Sequence, residues 1–212
     1  VTTPATPQVA IVDACSGNLR SVARALDAAG ARPMITRDPA VVRRADRVVF
    51  PGQGAFAEGI RGLVAAGLDD ALRDVLAAAR PVLGICLGLQ IFFDESAEHG
   101  PVAGLGVLAG RVARLAPRDP AAKVPHIGWN TIERPAGAAA EPLLTGIADG
   151  TAFYFVHSYA AVPRDPGIIA ATTDHGGPVV AAVRHGSLFA TQFHPEKSQA
   201  AGLLLLRNFL RH

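Results

Sequence analysis

The sequence predicts an α/β fold: a central, mostly parallel sheet with flanking helices, extended by antiparallel strands in the C-terminal half. Three observations predict it. Before residue 99, four short apolar runs alternate with stretches of helical periodicity, the pattern of successive βα units. After His99, strand-like runs follow one another with few helices between them, which points to antiparallel pairing. The chain has 212 residues, 50% of them hydrophobic, enough for one packed core, so a single domain is expected over residues 9–212 behind a flexible tail at residues 1–8.

Taken in order, Val9 to Val12 is an apolar strand that runs into the turn-rich ACSGN. Leu19, Val22, Ala23 and Leu26 then mark one face of a helix closed by Gly30. Met34 to Thr36 is a second strand, Pro39 to Arg44 a short helix, and Arg47 to Phe50 a third strand. PGQGAF, Pro51 to Phe56, reads as a glycine-punctuated loop, followed by helical sequence from Ala57 to about Ala79. Val82 to Ile85, bounded by Pro81, is a buried strand, and the residues after Cys86 begin a helix. In the second half, Gly104 to Leu115, Val124 to Ile132, Thr151 to Val162, Ile168 to Thr173, Val179 to Arg184 and Ser187 to Gln192 read as strands. His185 and Gly186 form a two-residue hairpin turn. A short helix is expected in the stretch from Ala136. A last helix runs from Ser198, its N-cap, to Arg211 with Leu203, Leu206 and Leu210 on its apolar stripe.

Composition narrows the function. A net charge of +2 without Lys/Arg blocks, and 6% aromatic residues, give no footprint for nucleic acid. No run is long enough to span a bilayer, and the leader VTTPATPQ lacks the charged and apolar regions of a signal peptide, so no membrane is expected. Two cysteines outside any C-x-x-C pair fit neither a disulfide framework nor a zinc site and favour a reducing cytoplasm. The seven histidines show no metal-ligand spacing, so neither metal nor cofactor is expected. Only two lysines, Lys123 and Lys197, stand against 18 arginines, and both fall in stretches singled out below.

The chemistry centres on Cys86. Gly84 and Gly88 flank it as G-x-C-x-G, the thiol counterpart of a nucleophile elbow, in which small neighbours let the reactive residue adopt a strained backbone at a strand-to-helix turn. A position at a helix N-terminus would favour the thiolate. The run QFHPEKS, Gln192 to Ser198, supplies the other two groups: in an extended segment His194 and Glu196 face one way, with Pro195 blocking the ladder. An imidazole takes the thiol proton and returns it to a leaving amine, and a carboxylate fixes the imidazole tautomer.

GICLGLQ together with QFHPEKS resembles the class I (triad) glutamine amidotransferases, and PGQGAF is similar to that family's oxyanion strand. SGNLRSV (16–22), KVPHIGWN (123–130) and YFVHSY (154–159) narrow the resemblance to the glutaminase subunits of imidazole glycerol phosphate synthase. It runs from Val9 to the last helix. The resemblance implies a flavodoxin-like amidotransferase fold, with Cys86 as nucleophile, His194 as acid/base and Glu196 as its orienter. It implies an oxyanion hole from the N–H of Leu87 and an N–H within Gly52, Gln53 and Gly54, and contacts of Gly52 and Gln90 with the substrate glutamine. It places Asn18, Lys123, His126, Trp129, Asn130, Tyr154, His157 and Lys197 near the site or the partner interface. The implied partner is a separate cyclase subunit that forms a heterodimer with this chain and receives ammonia, making imidazole glycerol phosphate and AICAR in histidine biosynthesis.

Two departures stand out: Ala14-Cys15 where the family commonly has Tyr-Gly, and Gln53 where it has a small apolar residue. Two other readings compete. The amidotransferase component of anthranilate or aminodeoxychorismate synthase shares the triad but typically has His where this chain has Leu89. A non-catalytic regulatory module of the same fold would not need Cys86, His194 and Glu196 intact.

Overall fold

The structure, a computed structural model, describes residues 6–15, 17–137 and 140–212. Residues 1–5 of the expected tail, Ser16 of SGNLRSV and residues 138–139 of the stretch from Ala136 lie outside the described residues.

The first half follows the predicted alternation. Strand β1 (Gln8–Val12) begins one residue early; then come helix α1 (Leu19–Ala29), β2 (Arg32–Thr36), α2 (Pro39–Arg44) and β3 (Arg47–Gly52). Gly30 closes α1 at φ 105°, a left-handed conformation that an L side chain resists. Strand β3 extends two residues beyond expectation, because Pro51 and Gly52 stay in parallel register with Ile85 and Cys86 of the neighbouring strand. The helical stretch after it is two helices, α3 (Phe56–Ala65) and α4 (Leu68–Ala77), broken where Gly67 takes φ 64°. Strand β4 (Val82–Cys86) follows.

The helix after Cys86 is shorter than predicted. It is a single turn, α5 (Leu87–Gln90), because the chain passes at once into β5 (Phe93–Ser96) and β6 (Val102–Ala103), two strands that the apolar pattern did not reveal. Beyond them lie β7 (Leu108–Arg114), β8 (His126–Ile132), β9 (Thr151–His157), β10 (Tyr159–Pro163), β11 (Ile169–Asp174), β12 (Pro178–His185), β13 (Leu188–Thr191) and helix α6 (Gln199–Arg211). The expected strand from Thr151 to Val162 is thus two strands in different sheets, divided at Ser158. The hairpin turn sits one residue later than read: His185 pairs with Leu188, leaving Gly186, at φ 56°, and Ser187 as the turn. In the stretch from Ala136 the described helical piece is a 3-10 turn, Pro142–Leu144. On α6 the stripe is rotated from the expected one: Leu205, Leu206 and Phe209 are buried, while Leu203 and Leu210 are only partly so.

The main sheet has seven strands in the order β11-β12-β13-β4-β3-β1-β2. The five from β13 to β2 are parallel, and β12 and β11 add antiparallel pairs at one edge. A second sheet, β10-β7-β5-β6, and a two-stranded ribbon, β8-β9, lie beside it. Alternation within β1 shows how the core divides: Ala10 and Val12 pack into one apolar layer, Val9 and Ile11 into the other, so the sheet is buried on both faces. Such sheets offer their chemistry at the carboxyl ends of the strands. Here the ends of β3, β4 and β13 lie side by side, Gly52 opposite Cys86 and Thr191 opposite Ile85.

Candidate active site

Cys86 ends β4 and turns the chain into α5 at φ 56°, ψ −107°, a strained conformation for a residue with a Cβ. Its flanking glycines make this turn sterically allowed. A Cβ on Gly88 would lie 1.9 Å from the Phe50 carbonyl oxygen, and one on Gly84 would lie 2.9 Å from that of Gly88. Because α5 has only four residues, its macrodipole is weaker than the sequence led one to expect.

His194 follows β13, and the next three residues, Pro195–Lys197, form a 3-10 turn rather than the expected extended segment. That turn still brings the side chains together: His194 Nδ1 and Glu196 Oε1 are 2.8 Å apart, and both side chains are 2% exposed. Ser198 locks the turn. Its side chain does not cap α6, as the sequence suggested; its hydroxyl donates to the His194 carbonyl at 2.6 Å and accepts from the Tyr154 N–H at 3.0 Å. The His194 N–H in turn donates to the Tyr154 carbonyl at 2.9 Å. Strand β9 therefore fixes His194.

With Nδ1 bonded to the carboxylate, His194 Nε2 is left buried and without a hydrogen-bond partner. Burial alone would lower the imidazole pKa, but the Cys86 sulfur and the Glu196 carboxylate together raise it to about 9. The Cys86 sulfur is the stronger of these two influences, although no aligned bond joins it to Nε2. The sulfur itself lies 3.5 Å from Gln192 Nε2 and 4.0 Å from the Val156 carbonyl oxygen.

Cys86 and His194 open onto a cavity of about 440 Å³, also lined by Gln53, Gly54, Leu87, Gln90, Tyr154, His157 and Lys197. These predicted residues are brought together. Gly52, also predicted, is not on the cavity lining; it ends β3, where a Cβ would come 3.0 Å from both the Cys15 sulfur and the Leu87 Cβ. Gly54 takes φ 95°. Burial pushes the Cys15 thiol up to about 11, and the Gln53 backbone hydrogen bond to it pulls the other way. The thiol of Cys15, the residue that replaces the family's usual glycine, donates to the Pro51 carbonyl at 3.9 Å.

The remaining predicted residues lie outside the cavity lining. Asn18 sits exposed at the start of α1, where Ser21 bonds its side chain at 2.8 Å. Lys123 is exposed and its carbonyl bonds His175 at 2.8 Å. On the β8-β9 ribbon alternate residues face opposite ways. Trp129 is 49% exposed beside Tyr154, whose ring lies 5.6 Å from Lys197 Nζ. His126 and Asn130 point inward. His126 bonds His157 at 3.1 Å, stacks on His175 and contacts the Asn130 amide at 3.2 Å. Burial, together with neighbouring histidines, lowers both His126 and His157 to about 4, so both are neutral at physiological pH.

Sequence reasoning missed Glu98, Pro125, Val156, Ser158 and Tyr159 on the cavity wall, and Gln192 behind it. Ser158 and Tyr159 fall within YFVHSY, so position in that motif was a usable signal; Glu98 carries none. The Glu98 carboxylate accepts the Phe56 N–H at the start of α3 at 2.7 Å.

Comparison with known proteins agrees with this geometry. Residues 10–212 match the class-I glutamine amidotransferase family. The imidazole glycerol phosphate synthase subunit HisH of Rhodospirillum rubrum is 50% identical over 212 residues, covering 96% of this chain and 98% of that protein. The subunit of the same name from Rhodopirellula baltica is 47% identical over 203 residues, covering 95% of this chain and 96% of that protein. Among solved structures, PurLQS from Thermotoga maritima has a TM-score of 0.74 at 18% identity, covering 97% of this chain and 98% of that chain. The glutaminase domain of Trypanosoma brucei CTPS has a TM-score of 0.64 at 16% identity, covering 97% of this chain and 94% of that chain; both likenesses show the fold. A nucleophile elbow, a buried His–Glu pair and a shared cavity at the carboxyl edge of a parallel sheet are thus found in a chain that belongs to the class-I glutamine amidotransferase family, among its imidazole glycerol phosphate synthase subunit HisH members.

Proposed function

We propose that this chain is the glutaminase subunit of imidazole glycerol phosphate synthase in histidine biosynthesis, hydrolysing glutamine through a Cys86 thioester and supplying ammonia to a separate cyclase subunit. The observation that carries the reaction is His194: Nδ1 is fixed by Glu196 while Nε2 is buried, unpartnered and beside the Cys86 cavity. The relatives' names favour this acceptor chemistry over anthranilate or aminodeoxychorismate synthesis.

In this reading the Cys86 thiolate attacks the carboxamide carbon of glutamine, and its charge passes to the carbonyl oxygen. The Leu87 N–H and one from the Gly52 to Gly54 segment stabilise that oxyanion. Protonated His194 gives its Nε2 proton to the departing nitrogen, ammonia leaves, and a glutamyl thioester remains on Cys86. Neutral His194 then takes a proton from water as it attacks the thioester, releasing glutamate and restoring the Cys86 thiolate beside protonated His194. Gln90 and Gly52 border the glutamine. The glycines on either side of Gln53 give that peptide the freedom to turn an N–H toward the oxyanion. Docking of the cyclase on the face bearing Trp129, Tyr154 and Lys197 is the event to which we assign that turn.

Acid-quenching the chain during turnover with its cyclase, followed by peptide mass analysis, should find a glutamyl adduct on Cys86. Release of glutamate with the adduct elsewhere, or with no Cys86 adduct at any quench time in the wild type, contradicts the assignment.

A further inference from the structure

Gln192 is fully buried directly after β13 and does not line the cavity, so it meets the Cys86 sulfur from behind and leaves the open side to substrate. A chain of hydrogen bonds determines which end of its amide faces the sulfur. The Tyr159 carbonyl can only accept, so the Gln90 group 2.9 Å from it is the amide nitrogen. The second hydrogen of that nitrogen goes to Gln192, 3.0 Å away, which must therefore present its oxygen. The Gln192 NH₂ is left for the sulfur, 3.5 Å distant. The same Tyr159 carbonyl accepts from His157 Nδ1 at 2.9 Å, so His157 Nε2 is the acceptor for His126 Nδ1 at 3.1 Å. Every amide and ring orientation in this buried series is fixed by its neighbour.

We propose that Gln192 is a positioning residue for the glutaminase reaction, its side-chain N–H holding the Cys86 sulfur and favouring the thiolate. The inference rests on the reading of Cys86 as nucleophile. An N–H donor stabilises a thiolate far more than a neutral thiol, which is a poor acceptor. The other group bonded to the sulfur, the Val156 carbonyl on the cavity wall, would favour the thiol. The titratable groups around it are His194 with Glu196 behind, and Cys15 beyond Gly52. Glu98, His157, Lys197 and the two tyrosines share the cavity, and the variants below retain all of them.

The test is alkylation of the full chain by iodoacetamide across pH, followed separately in the Cys86 and Cys15 peptides by mass. Gln192→Met keeps length and loses the donor. At neutral pH it should slow Cys86 alkylation about tenfold or more, with the rate recovering in alkaline solution and the Cys15 rate unchanged. A folded Gln192→Met chain with the wild-type pH profile at Cys86 overturns the proposal, and Gln192→Leu serves the same purpose if the methionine variant does not fold. Alkylation needs no glutamine, so an unshifted profile in an enzyme that still forms the glutamyl thioester refutes the role of Gln192 alone. Absence of that thioester in the wild type refutes the underlying reading.

Discussion

The Cys86 backbone, at φ 56°, carries a strain of about 1–3 kcal/mol, and two glycines make it tolerable. The spacing Gly84-x-Cys86-x-Gly88 was legible because the need for small residues is local. Gly88→Ala should destabilise the fold by at least about 2 kcal/mol in urea melts, since the added methyl meets backbone, the Phe50 carbonyl, which cannot swing aside. Gln192 was not legible in the same way. Its orientation depends on Gln90, 102 residues away, and on a carbonyl of β10. The raised pKa of His194 has two consequences. Its protonation stabilises the folded chain fully below about 6.5, and that contribution is lost as pH rises through about 9. Over the same range glutamine-dependent kcat/KM should decline, because the ring loses the proton that the leaving ammonia needs. Glu196→Gln should bring that decline to lower pH and slow turnover about a hundredfold or more, by analogy with loss of the carboxylate in a serine triad.

Among the elements, the parallel half was readable from apolar runs alternating with helical periodicity, and the second half was read less well. Nothing in the sequence from Thr151 to Pro163 interrupts a β pattern, yet the strand divides at Ser158 because β9 pairs with β8 while β10 pairs with β7. That division places His157, Ser158 and Tyr159 at the cavity. The 3-10 turn at Pro195–Lys197 also exceeded what alternation could show, since proximity of His194 and Glu196 arises from a turn held by Ser198. Ser198→Ala should cost about 1–3 kcal/mol, for it leaves the part-buried Tyr154 N–H and the buried His194 carbonyl without this partner. Glutaminase activity should fall further than stability predicts, because only the His194 N–H bond to the Tyr154 carbonyl then ties His194 to β9.

Across the whole molecule, the active-site edge of the parallel sheet meets the β8-β9 ribbon, whose outer face exposes Ile127 at 60% and Trp129 at 49%. We propose that this exposed apolar face is where the cyclase docks. Addition of the cyclase should change the emission of Trp129, the sole tryptophan; unchanged emission at saturating partner would move the interface elsewhere. The inner face of the ribbon carries His126 and His157, whose pKa values lie near 4 in the folded chain against 6.5 ordinarily. The unfolded chain therefore binds more protons, and stability should fall as pH drops from about 6.5 through about 4; His157→Gln should flatten that fall. The measurement that bears most directly on the whole account is glutamate release from glutamine by this chain with its cyclase, for the wild type and for Cys86→Ala. The account predicts rapid release by the wild-type complex and none by the variant, while the variant complex still uses free ammonia. Glutamine-dependent turnover that survives Cys86→Ala would contradict it.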